Sequence, residues 1–170
     1  FVYGRESSEV YGEPLADYDE PGTTQGSSIL FTSRDIGRPI GYEAPPWARV
    51  IKEEDLYGRP IRNLDWNYGY WWIELGGVYD TIMDNERLRF ELLAIVLGTW
   101  DHIKNSGRFP DSANWALDTV GMIPGKRESR RFFGDSILTQ HHIEGKWKEF
   151  EDAVAFGGWS MDDHPALGFD

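Results

Sequence analysis

The chain has 170 residues, of which 40% are hydrophobic and 15% aromatic, and this is enough apolar material for one domain with a core. Its 17 lysines and arginines against 29 acidic residues give a net charge of −12, which disfavours binding to nucleic acid or to an anionic membrane surface. The absence of cysteine excludes disulfides, thiolate metal sites and a cysteine nucleophile, and no apolar run reaches the length of a membrane span. We therefore expect a soluble protein, cytoplasmic or exported, that holds any anionic ligand locally.

Three stretches follow one another along the chain. Glycine and proline punctuate residues 1–27, which we expect to form an irregular lead-in. Residues 28–123 hold most of the predicted regular elements, and residues 124–170 form a less regular region. The chain begins at Phe1 without an initiator methionine, which suggests a processed protein or a piece of a longer polypeptide.

Residues that favour β-structure mark two strands ahead of the main helix. One strand is predicted over Ser28–Arg34, and a second, strongly aromatic strand over Asp65–Gly76. Between them, the proline-rich residues 37–60 predict a surface excursion. Alternation in the second strand places five side chains on one face: Trp66, Tyr68, Tyr70, Trp72 and Glu74.

A long helix is predicted over residues 82 to 105, because apolar residues from Leu88 to Ile103 recur at the spacing of a helix that faces a core. Asn105-Ser106-Gly107 is a typical helix end. These elements predict an α+β fold, with a small mixed sheet, one long helix and long irregular segments.

The region after this helix has weaker patterns. Residues 114–123 fit either a strand or a short helix. The remainder predicts a strand at 132–139, a helical turn at 140–144 and a short helix at 149–156.

A basic segment, Lys126–Arg131, stands out in this acidic chain because it has four cations in six residues. Its three guanidinium groups suit a carboxylate or phosphate ligand, and Glu128 is placed to orient one of them. The same residues also suit pairing with the many acidic side chains, or full solvation, which is the commoner role of a charge run.

Phosphate-binding loops are absent from the sequence. Residues 121–126 are one residue short of a P-loop and have a proline where a donor N–H is needed. No two glycines are separated by a single residue, so the G-x-G-x-x-G turn does not occur. This sequence does not by itself supply the turn that binds a dinucleotide.

The aromatic strand and the histidines offer further candidates. The strand is either a stacking platform for a sugar ring or a flat cofactor, or half core and half interface, as aromatic strands usually are in small domains. His164 stands next to Asp162 and Asp163, and a neighbouring carboxylate can tune a histidine as a general base. The sequence has no metal-ligand spacing and no nucleophile-elbow motif.

Many short motifs occur in one order along the whole chain. They are Gly4–Ser7, Glu9–Glu13, Gly26–Phe31, Gly37–Pro39, Tyr68–Gly77, Asp84–Arg87, Trp100–Gly107, Asn114–Asp118, Pro124–Arg131, Gly134–Asp135, Leu138–Thr139 and Asp152–Trp159, followed by Asp163-His164. In this order they resemble the middle portion of FAD-dependent oxidoreductases with a glutathione-reductase-like fold.

The resemblance implies an N-terminal half that carries the glycine fingerprint for FAD and a C-terminal segment that closes the flavin site. The present chain then corresponds to the substrate or cap region of a two-domain α/β flavoprotein, with residues 28–123 as the cap and residues 124–170 leading back to the FAD-binding domain. The implied partner is that FAD-binding portion, and we expect FAD to bind only weakly to this chain alone.

The resemblance also implies residues for hydride transfer from a small molecule or saccharide to the flavin. The expected substrate-binding residues are Arg127, Glu128, Arg130, Arg131, Tyr68, Tyr70 and Trp72, the cofactor-facing residues are Lys126 and Arg127, and the candidate acid/base is His164. The alternative is a carbohydrate-binding or interaction module without catalysis, which uses the aromatic strand at residues 66–72.

Overall fold

The computed structural model describes residues 1–18, 21–61, 66–127, 129–146, 150–155, 157, 160–162 and 164–170. Its β-strands and α-helices in chain order are β1 (Val2–Tyr3), α1 (Ser8–Tyr11), β2 (Ser27–Ser28), β3 (Phe31–Asp35), β4 (Tyr68–Gly69), β5 (Glu74–Leu75), α2 (Asn85–Asn105), β6 (Trp115–Val120) and β7 (Arg130–Arg131). The predicted α+β class is confirmed. Every strand pair of the described chain is antiparallel.

The strands form three small sheets. In the largest, β3 lies between β4 and β6, and its pairing with β6 runs from Phe31↔Val120 to Asp35↔Trp115. The other two sheets are the pairs β2–β5 and β1–β7. The strand predicted over Ser28–Arg34 is therefore divided, because its two ends pair in different sheets. The ambiguous residues 114–123 contain a strand, β6.

The prediction of one continuous aromatic strand over Asp65–Gly76 is wrong. The described part has two short strands, β4 and β5, separated by a turn in which the Ile73 amide donates to the Tyr70 carbonyl at 3.0 Å. This turn breaks the alternation, so Tyr68 is 60% exposed although Trp66, Tyr70 and Trp72 are buried. Asp65 lies outside the described residues.

The long helix predicted at 82 to 105 is confirmed as α2. Its buried face packs against the three-stranded sheet, and the Trp100 ring lies edge-on to the Phe31 ring at 5.5 Å. Phe90, on the opposite face, is exposed. The buried apolar side chains of α2 are Leu88, Leu92, Leu93, Ile95, Val96, Trp100 and Ile103. No helix of the described chain is both long enough and apolar enough to cross a membrane.

The irregular residues 37–60 cross the outer side of α2. The Arg49 amide donates to the Ala94 carbonyl at 3.0 Å, and the Tyr42 hydroxyl donates to the Leu97 carbonyl at 3.3 Å. The chains approach so closely that a Cβ at Gly98 would collide with the Arg49 carbonyl. The predicted surface excursion is thus tied to the helix by backbone contacts.

The two terminal regions pack on each other and on β5. In the lead-in, β1 pairs with β7, and the Thr24 amide donates to the Gly77 carbonyl at 2.8 Å. The strand predicted at 132–139 is wrong, since β7 ends at residue 131 and the following residues are bends and coil. Residues 150–155 contain a turn in place of the predicted helix, whose ends at 149 and 156 lie outside the described residues.

Candidate functional site

A narrow ladder of four backbone segments forms the base of the candidate site. Its centre is the β2–β5 pair. On one side Ser28 bridges to Gly125, and on the other Leu75 bridges to Gly168. The ladder therefore brings the lead-in, the aromatic region, the basic segment and the C-terminal residues of the chain side by side.

The side chain of Glu74 lies at the centre of this ladder and is 4% exposed. Its Oε1 atom is 2.7 Å from Nδ1 of His164, and its Oε2 atom is 3.9 Å from Nη2 of Arg127. With its amide oriented to satisfy its neighbours, Gln25 accepts from Nη2 and Nε of Arg127 at 2.9 and 3.2 Å, and from Nδ1 of His164 at 3.1 Å. The structure thus brings together two predicted site residues, Arg127 and His164. The residues that join them, Glu74 and Gln25, were not predicted as site residues.

Both ring nitrogens of His164 face carboxylates. Nδ1 faces Glu74, and Nε2 is 3.1 Å from Oδ2 of Asp162. Carboxylates accept hydrogen bonds, so this arrangement favours a proton on each nitrogen and a charged ring. Burial lowers the pKa of His164, but the hydrogen bonds and charges of Glu74 and Asp162 outweigh it and raise the pKa above the ordinary 6.5. The Asp162 side chain is 67% exposed, so it is the solvent-accessible partner of His164, whereas Glu74 is buried.

A cavity of about 380 Å³, here called the aromatic cavity, opens beside this network. Trp71 is 54% exposed at its edge and contacts the His164 ring edge-on at 5.8 Å. His164 itself lies behind the wall. The lining residues are Ser28, Leu30, Pro60, Tyr68, Gly69, Tyr70, Trp71 and Arg127.

Two of the three aromatic residues predicted to bind substrate, Tyr68 and Tyr70, line the aromatic cavity. The third, Trp72, is buried behind it, where its ring stacks on Tyr70 at 5.2 Å and its indole N–H donates to the Pro60 carbonyl at 3.1 Å. Trp72 therefore fixes the position of the cavity wall from within the core.

The cations of the basic segment separate in the structure. Arg127 alone of them lines the aromatic cavity. Arg131 pairs with the Glu6 carboxylate at 2.9 Å, and the Arg130 guanidinium lies over the Phe1 ring at 5.6 Å. Glu128, predicted to orient them, lies outside the described residues.

Lys126 turns towards the start of α2. Its ammonium donates to the Thr81 carbonyl and to the Ser27 hydroxyl, the latter at 3.5 Å. Burial lowers the pKa of Lys126, and the nearby Asp80 carboxylate opposes this shift. The ammonium of Lys126 is thus engaged within the fold.

A second cavity of about 340 Å³, the N-terminal cavity, lies on the other side of the network. Asp162 and Arg131 both line it. The chain of charged contacts from Arg127 through Glu74 and His164 to Asp162 therefore runs between the two cavities. The remaining lining residues are Gly4, Arg5, Glu13, Leu15, Ala16, Thr23, Thr24, Ser129, Leu138, Thr139, Gln140, Ile143 and Met161.

Comparison with known protein families matches residues 1–169 to the FAD dependent oxidoreductase family. The chain belongs to this family. Comparison with curated proteins and with solved structures finds no match. The family match confirms the resemblance to FAD-dependent oxidoreductases that the ordered motifs indicate.

The start of α2 does not fit the diphosphate of FAD. Helix N-termini bind phosphate through uncovered backbone amides, and α2 is the one long helix of the described chain. At its entry, Oδ1 of Asp80 already accepts from the amides of Ile82 and Met83 at 2.9 and 3.0 Å. Asp84 and Glu86 add further negative charge there. An anionic diphosphate would be repelled at this helix end.

Residue patterns indicated part of this site and missed the rest. Alternation puts Glu74 on the predicted aromatic face without a role, and it leaves Trp71 off that face because it cannot anticipate the turn before Ile73. Gln25 carries no local signal of its own. The described residues contain no group of three or more His, Asp and Glu side chains placed to hold a metal ion.

Proposed function

We propose that this chain supplies the substrate-facing wall of an FAD-dependent oxidoreductase, and that the aromatic cavity binds an anionic small molecule or sugar acid. The observation that carries this proposal is the placement of Arg127. Its guanidinium lines the cavity, and Gln25 and Glu74 hold it from behind. A guanidinium fixed in this way is preorganised for a carboxylate.

The hydrogen bonds of Arg127 leave donors for a ligand. Gln25 takes Nε–H and one Nη2–H, and Glu74 lies near Nη2. Nη1 has no partner among the described residues, so its two N–H groups remain for a ligand carboxylate. The exposed rings of Tyr68 and Trp71 beside it are suited to stack on a sugar or aromatic ring.

When bound, the flavin would supply the acceptor for a hydride, which carries two electrons, from a substrate carbon. In this proposal His164 keeps a positive charge close to the cavity. The proton on its Nε2 atom is hydrogen-bonded to the exposed Asp162 carboxylate. Arg130, Arg131 and Glu128 remain predicted substrate-binding residues, and Lys126 remains a predicted cofactor-facing residue.

The test uses the complete protein, loaded with FAD, under anaerobic conditions. It compares a panel of sugar acids and hydroxy acids with their neutral analogues. Bleaching of the visible flavin band measures reduction. We expect acids to reduce the flavin at lower concentration than their neutral analogues, and Arg127→Gln to abolish this preference. Loss of one charged hydrogen bond corresponds to roughly a tenfold or larger rise in the half-saturating concentration.

Arg108→Gln is the matched control, because it removes an arginine that pairs with Glu53 at 2.8 Å and does not line the aromatic cavity. It should keep the preference for acids. Equal response to acids and neutral analogues in the unmodified protein would refute the proposed substrate class. A complete protein that takes up no FAD would refute the oxidoreductase role.

A carbohydrate-binding module is the second candidate, and the exposure of Tyr68 and Trp71 on one cavity favours it. This function requires neutral glycans to change tryptophan fluorescence without flavin reduction. Trp71→Ala should remove the change, whereas Trp47→Ala, at a tryptophan of similar exposure outside the cavity, should retain it. No response to any glycan would exclude the module.

A further inference from the structure

The buried carboxylate of Glu74 lies close to two cationic side chains, those of His164 and Arg127. Glu74 contacts the imidazole of His164 through Oε1 at 2.7 Å and lies 3.9 Å from the guanidinium of Arg127 through Oε2. A single carboxylate cannot fully neutralise two neighbouring positive charges. The charge state of His164 therefore depends on the charge that Arg127 carries beside it.

The amide of Gln25 brings the same two cations closer. Nη2 of Arg127 and Nδ1 of His164 lie 2.9 and 3.1 Å from its oxygen. The guanidinium and the imidazolium are therefore direct neighbours across one acceptor. Like charges at this spacing repel each other, so the guanidinium, which stays charged, disfavours the charged form of the imidazole.

Within the described part of the chain, the charged groups that face His164 come from three segments. They are Glu74 from β5, Asp162 from the segment just before His164, and Arg127 from the basic segment. The edge of the Trp71 ring covers the imidazole on a further side. Of these groups, Arg127 alone lines the aromatic cavity, so a ligand there changes the charge around His164 through Arg127.

We propose that Glu74 is a positioning residue that couples anion binding at Arg127 to proton binding at His164. An anion on Arg127 neutralises the guanidinium, so the imidazolium loses a repelling neighbour and binds its proton more tightly. By linkage, an anion binds more tightly when His164 is protonated. This inference rests on the proposed function, in which Arg127 is the anion site.

The test needs no ligand, because Arg127→Gln imitates a neutralised guanidinium. The pH midpoint of His164 is measured by NMR on the full chain with ¹⁵N-labelled histidine, and the signal lost in His164→Gln assigns it among the four histidines. We expect Arg127→Gln to raise the proton affinity of His164 about threefold, as one charge at about 6 Å does in a water-like dielectric. The control Arg108→Gln, whose arginine pairs with Glu53, should leave the midpoint unchanged.

Glu74→Gln tests the positioning role. It should move the His164 midpoint to lower pH, and in this background Arg127→Gln should have a smaller effect than in the unmodified chain. An equal effect in both backgrounds would show that Glu74 does not position the pair and would overturn its assigned role. Should Glu74→Gln fail to fold, Glu74→Asp takes its place in the same cycle.

An unchanged midpoint in Arg127→Gln, or one that matches Arg108→Gln, overturns the coupling. That result would not bear on anion binding by Arg127, because the flavin-bleaching experiment tests anion binding with a different readout. A failed preference for acids in the flavin experiment, with the expected midpoint shift here, would refute the substrate class alone.

Discussion

The core around α2 and the ladder beside Glu74 are built on different principles. The core is formed by long elements whose buried side chains are aliphatic or aromatic, such as Trp100 against Phe31. The ladder is formed by two-residue strands and single bridges, and its buried contacts join charged and amide groups. The core draws its stability from apolar area removed from water, whereas the ladder depends on the match between particular donors and acceptors.

This difference predicts how each region responds to change. Apolar packing is insensitive to pH, and its loss scales with the volume removed. A buried charge network responds to protonation and to the removal of one partner, since the remaining charge is then uncompensated. The next three predictions test this contrast from the largest expected effect to the smallest.

Removal of a core ring should have the largest effect on stability. Trp100→Ala should lower the free energy of unfolding by about 3–5 kcal/mol, because the ring is fully buried and leaves a cavity against Phe31. Urea unfolding followed by circular dichroism measures the change. The control Phe90→Ala truncates an exposed ring of the same helix and should cost far less. Equal costs would contradict the assignment of the buried face.

The ladder should make stability depend on pH through His164. The folded chain holds the pKa of His164 above the ordinary 6.5, so it binds this proton more tightly than the unfolded chain does. The resulting stabilisation is complete below pH 6.5 and is lost as pH rises through the elevated folded-state pKa. Urea midpoints measured across this range should fall with pH, and the fall should be smaller in His164→Gln. A slope unchanged in that variant would contradict the network.

An exposed ion pair on the sheet should have the smallest effect. Arg34 lies 3.3 Å from Asp118 between β3 and β6, and its side chain is 71% exposed. Arg34→Gln should change the free energy of unfolding by about 0–1 kcal/mol. At high salt, where such pairs are screened, the urea midpoints of Arg34→Gln and of the unmodified chain should differ little. If Arg34→Gln lowered the free energy of unfolding nearly as much as Trp100→Ala does, the proposed contrast between core and surface would be wrong.

The sequence anticipated the elements whose signal is local and long. The helix α2 was predicted with its bounds and buried face, because apolar residues repeat through several turns. The short strands were harder, since β4 and β5 have two residues each and alternation cannot reveal the turn between them. The strand predicted at 132–139 failed because its β-forming residues find no partner strand in the described chain.

The candidate site shows the same division. Composition and order alone pointed to the basic segment as a whole and to His164, since a basic run in an acidic chain and a histidine beside acids are local features. Glu74 and Gln25 could not be assigned, because their partners are distant along the chain. His164 and Glu74, for example, are 90 residues apart.

By itself, the sequence determined the α+β class, the long helix, the acidic charge and the ordered motifs that identify the family. These features are local or additive, so they need no knowledge of which segments meet. Only the tertiary structure decided that Arg127, alone among the described residues of the basic segment, lines the aromatic cavity and that Glu74 joins it to His164. The reason is physical: the chain buries these charges only where segments far apart in sequence supply matching partners.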